Sequence, residues 1–193
     1  MRTTEDRLVD QLEAVQTREF ARLQRRELGW EGHDRVDPLS LVSVNEIWTV
    51  SGRAPFQLRF ASDRAYGAGR GRTRYVGSTL TVLIPESNRH KALFGDGLAR
   101  FFIAEAFGEA TLRHLETRRA LLAKHRQGSR ESQRLLVSAF ASMDFQAGVF
   151  AASFLIGDDV APGSASPEEL SVRYGIDAFS ARVFFAELQS ASP

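Results

Sequence analysis

Glu105 and Glu109 stand four residues apart, a spacing that puts both carboxylates on one face of a helix. A third carboxylate, Asp144, interrupts the most apolar stretch of the chain, Leu135 to Gly157. Small residues share its surroundings: Ala141, Ala147, Gly148 and Ala151. A face of small side chains lets a second helix approach closely. A carboxylate buried there must be paired, hydrogen-bonded, protonated or metal-bound, because a lone buried charge is too unfavourable. Two chemistries fit these residue types. One is structural: Glu109 with Arg113 is an ordinary helix pair, and Asp144 has many arginines to bridge. The other is a set of hard oxygen ligands for a divalent cation.

Most other chemistry lacks support. The chain has no Cys, which removes a thiol nucleophile, an Fe–S cluster and Cys-ligated zinc. The four histidines, His33, His90, His114 and His125, form neither an HxH nor an HExxH pair. No G-x-S-x-G elbow supports a serine triad. The Gly-rich run Tyr66–Arg72 leads toward a strand, so it reads as a hairpin loop and not as a phosphate cradle. With 25 Lys and Arg against 24 Asp and Glu, the formal charge of +1 creates no overall pull toward nucleic acid. Arg18, Arg22, Arg25 and Arg26 gather locally, where cations complement a helix C-terminus.

These residues need elements to hold them. Residues 4–27 read as an amphipathic helix with Leu8, Leu12, Val15, Phe20 and Leu23 as its apolar stripe, ended by Gly29. Asp37-Pro38 opens a short helical turn. Strands are predicted at 46–50, 56–60 and 79–84, the last with Leu80, Val82 and Ile84 on one face. A helix from about Asp96 to Leu115 carries Glu105 and Glu109, and one over 131–156 carries Asp144. Ser166-Pro167-Glu168-Glu169 is a capping box that opens a closing helix pair over 166–188. Its second helix has apolar surface to bury and only Arg182 as a cation, unlike a DNA-recognition helix. The whole reads as one α+β domain over 1–193, mostly helical, with an N-terminal helix over 1–28 and a small mainly antiparallel sheet. The 43% hydrophobic composition supplies its core. The charged opening residues predict no secretory leader, and Asp144 argues against a membrane span. A cytoplasmic protein is expected.

The order of elements and two helices resemble the ImmA/IrrE family of bacterial zinc peptidases. That family carries a stretch like R-F-T-x-A-H-E-L-G-H, and this chain reads Arg100-Phe101-Phe102-Ile103-Ala104-Glu105-Ala106-Phe107-Gly108-Glu109. Its second helix carries E-x-x-A-N-x-F-A-A, and here stands Asp144-Phe145-Gln146-Ala147-Gly148-Val149-Phe150-Ala151-Ala152. The similarity spans roughly residues 36–188 and implies a zincin-like fold. The scaffold positions fit and the catalytic ones depart. Aligned this way, the zinc histidines become Glu105 and Glu109, the third ligand becomes Asp144, and the general base becomes Ala106. The resemblance therefore implies three converging carboxylates and no catalytic residue, since Ala106 takes no proton. No cofactor is expected. A weakly held Mg²⁺, Mn²⁺ or Ca²⁺ suits such ligands better than Zn²⁺. It implies a degenerate, regulatory member that binds a protein, with a helix-turn-helix repressor as partner. Two alternatives stay open: an atypical metal-dependent hydrolase at Glu105, Glu109 and Asp144, and a nucleic-acid-binding regulator.

Overall fold

The sheet follows from alternation. In β2 (Gly52–Ala61), Ala54, Phe56 and Leu58 turn inward. β1 (Glu46–Thr49) pairs antiparallel to it, from Glu46 opposite Pro55 to Thr49 opposite Gly52. β4 (Thr79–Pro85) runs parallel to β2, with Phe56 opposite Leu80 and Phe60 opposite Ile84. β3 (Arg72–Val76) is antiparallel to β4 and closes a tight hairpin, Val76 opposite Thr79. Gly77 supplies the positive φ of 60° that this turn requires. The strand order is β1-β2-β4-β3. The computed structural model describes residues 12, 14–32, 36–66, 71–114, 116, 143–157, 165–176 and 178–190.

Central β4 is buried on both faces, Leu80 through Ile84, which is why its sequence is nearly continuous in apolar residues. Helices cover the sheet. α1 (Ala14–Glu27) packs on α5 (Met143–Ile156), and α4 (Gly97–Thr111) lies between α5 and the sheet. Asp96 caps α4 by accepting from the Ala99 N–H at 2.8 Å. Short helices α2 (Asp63–Tyr66) and α3 (Glu86–Leu93) follow β2 and β4. The chain closes with α6 (Pro167–Tyr174) and α7 (Ala178–Ser190). Phe107 ties the layers together: its ring meets Phe56 of β2 at 5.5 Å, Phe150 at 5.8 Å and Phe154 at 5.2 Å. Such ring pairs add about 0.5–1.5 kcal/mol each beyond area burial. One apolar cluster runs from Ala21 in α1 to Phe184 in α7.

The α+β class holds, with two of the three strand pairings antiparallel. The capping box at Ser166 and Glu169 has both of its hydrogen bonds, and Gly175 ends α6 in the left-handed region at φ 64°. Several expectations need correction. The Gly-rich run does not join two strands of one hairpin. It follows α2 and precedes β3, a strand the periodicity left unread, and the strands flanking this whole segment, β2 and β4, are parallel. Residues 67–70 of that run lie outside the described residues, as do 4–11 of the expected first helix and 131–142 of the expected second long helix. Pro85 ends β4 as expected and is also the N-cap of α3, a helix for which the sequence reading has no counterpart.

The buried face of α1 is a further correction. Val15 is exposed and Phe20 and Leu23 are only half-buried. The inward residues are Thr17, Arg18, Ala21, Gln24 and Arg25. Their spacing is helical, but the fully buried face is mostly polar, while Leu12 and Phe20 of the expected stripe pack partly buried against the core. Polar groups there are held by specific partners. Arg25 donates to the Phe154 carbonyl at 2.8 Å, and Gln24 donates to the Trp48 carbonyl at 2.8 Å. The Arg18 guanidinium lies 5.3 Å from the Phe184 ring centre. Among the described residues, no helix is long and apolar enough to cross a membrane.

Candidate functional site

Glu105, Ala106 and Glu109 lie on α4, and Asp144 lies near the start of α5 as described. Glu105 is 5% exposed, whereas Glu109 and Asp144 are half-buried. Glu105 and Glu109 both have interactions within the fold. Asp144, despite its apolar neighbours in sequence, therefore keeps access to water, and the strong penalty expected for a buried charge does not apply to it.

Ala106 is 3% exposed and faces the sheet. The space before it is filled by Gly71, where the chain enters β3. A methyl group on Gly71 would come within 2.7 Å of the Ala106 Cβ and 2.5 Å of Ile84 Cδ1. The Thr73 hydroxyl donates to the Ala106 carbonyl at 3.2 Å. A longer side chain at 106 would have to displace the first residues of β3. This position is closed by packing as well as lacking a titratable group.

The register of α4 against α5 is fixed at two points. Gly108 abuts Phe150 so closely that a methyl group there would lie 2.7 Å from Phe150 Cδ1. Six residues on, His114 Nε2 meets Gln146 Oε1 at 2.8 Å, and both side chains are buried. The helices are thus antiparallel, and α5 runs back toward its start as α4 runs toward His114. Asp144 falls level with the chain just beyond His114. At 1.5 Å per residue it is displaced by roughly 13 Å from Glu105 along the helix axes. Both side chains also tilt toward the N-termini of their own helices, which widens the gap. Oxygen ligands of one Mg²⁺ or Ca²⁺ must each lie about 2.0–2.6 Å from the ion. The two contacts set Asp144 and Glu105 at different levels of the helix pair, and the convergence of Glu105, Glu109 and Asp144 on one ion stays an expectation from the resemblance. Among the described residues, no group of three or more His, Asp or Glu is placed to hold a metal ion.

Compared with protein-family models, curated proteins and solved structures, the chain matches none.

Polar clusters do form elsewhere. Beyond α4, the Glu116 carboxylate accepts from the Tyr75 hydroxyl and from the Arg113 guanidinium. That hydrogen bond holds the Arg113 pKa above its ordinary range, against a smaller opposing effect of burial. Arg113 adopts a positive φ of 56° to reach this position. A broad open groove lies where parallel β2 and β4 end, lined by Phe60, Ser62, Asp63, Glu86, Ser87 and His90. Asp63 already accepts from the Ser87 N–H there at 3.2 Å, so a carboxylate occupies the start of α3. Sequence reasoning named none of these groups as a set. The Tyr75–Glu116 contact joins β3 to a residue past α4, 41 residues away. No local spacing carries such a signal.

Proposed function

We propose that this chain is a catalytically degenerate ImmA/IrrE-like protein, a zincin-like domain over 1–193 that works in the cytoplasm by binding a protein. The partner class that the resemblance implies is a helix-turn-helix repressor. The observation that carries the non-catalytic part is Ala106: it has no proton to exchange, and it is buried with Gly71 close against it. The α4–α5 register supports the same reading, since it separates Asp144 from Glu105. That separation also counts against the atypical hydrolase, which needs Glu105, Glu109 and Asp144 on one ion. The partner class rests on the sequence pattern in α4, α5 and the closing pair.

A nucleic-acid role gains no support from the basic end of α1. Arg18 and Arg25 are buried in internal contacts, and Arg22 pairs with Glu19. The test is direct. Purified protein is titrated with purified helix-turn-helix repressors and the mixture is followed for both complex formation and cleavage, with added Zn²⁺ or Mn²⁺. Complex formation without cleavage is expected. Metal-dependent cleavage that disappears in Glu109→Ala would overturn the proposal.

A further inference from the structure

We draw no further inference here: the strongest candidate, the exposed apolar elbow of Leu93, Phe94 and Leu98 between α3 and α4, carries nothing because nothing in the structure shows what covers it.

Discussion

The imidazole of His114 and the carboxamide of Gln146 meet at 2.8 Å in the interior, joining the chain just past α4 to the beginning of α5. Removing one partner leaves the other buried without this bond. Gln146→Leu should destabilise the protein by about 1–3 kcal/mol, the usual penalty for stranding a buried polar group. The His114→Phe, Gln146→Leu double variant should lose less than the sum of the two single losses. Urea unfolding of all four proteins measures this coupling, and additive losses would show that the pair does not set the register.

Ala106 and Gly71 make the second testable contact. Gly71→Ala drives a methyl group into Ile84 and Ala106 and should cost about 1–3 kcal/mol by overpacking. Ala106→Glu should cost at least as much, because a carboxylate is forced into a closed site. Neither change should create hydrolytic activity. Thermal melts of both variants, compared with the parent, check the direction.

How much of this was legible in the sequence differs by element. Asp96, Ser166 with Glu169, and Gly175 mark helix ends through local hydrogen bonds and backbone preferences, so they can be read directly. Alternation in Phe56-Gln57-Leu58 and in Leu80-Thr81-Val82 reveals strands, but it says nothing about direction, and β2 beside β4 proved parallel. β3 was hidden because Arg72, Arg74 and Val76 are exposed while only Thr73 and Tyr75 are half-buried, which leaves no apolar pattern. The candidate site is hard to read for a similar reason. Spacing places Glu105 and Glu109 on one face, yet the position of Asp144 depends on a register fixed by Gly108–Phe150 and His114–Gln146. That is a long-range packing property.

Arg25 is a buried cation that donates to two main-chain carbonyls. Its guanidinium reaches Phe154 near the end of α5 at 2.8 Å and Trp30 at 3.4 Å, and Gly157 leaves room for it. Arg25→Met should destabilise by about 1.5–3 kcal/mol, the range for hydrogen bonds to a charged group. Arg25→Lys should rescue little, because one ammonium cannot reproduce the planar fork. Chemical denaturation separates these outcomes. A full rescue by Lys would show that charge alone suffices.

Arg113 combines a left-handed backbone with an ion pair. Glycine accepts that backbone without strain, so Arg113→Gly should be more stable than Arg113→Ala by about 1 kcal/mol, although both lose the guanidinium. The pair itself is partly exposed, and its loss should cost under about 1 kcal/mol. Because the guanidinium pKa is raised, its stabilisation is complete at every pH below the ordinary arginine value and fades only as pH climbs through the raised one. The deficit of Arg113→Gln in urea unfolding should therefore be the same at pH 7 and pH 9 with respect to this group.

Zinc binding by engineered histidines tests the separation of Asp144 from Glu105 most directly. The double variant Glu105→His, Glu109→His places two imidazoles one turn apart on α4, a weak zinc site by itself. Adding Asp144→Glu completes a two-histidine, one-carboxylate ligand set only if position 144 reaches the same ion. Competition calorimetry with a zinc chelator, on variants whose circular dichroism matches the parent, gives both affinities. The expected result is equal zinc affinity for the double and triple variants, because position 144 lies level with His114 and away from Glu105. A triple variant that binds zinc ten-fold or more tightly than the double would contradict this, and would put a convergent metal site back on α4 and α5.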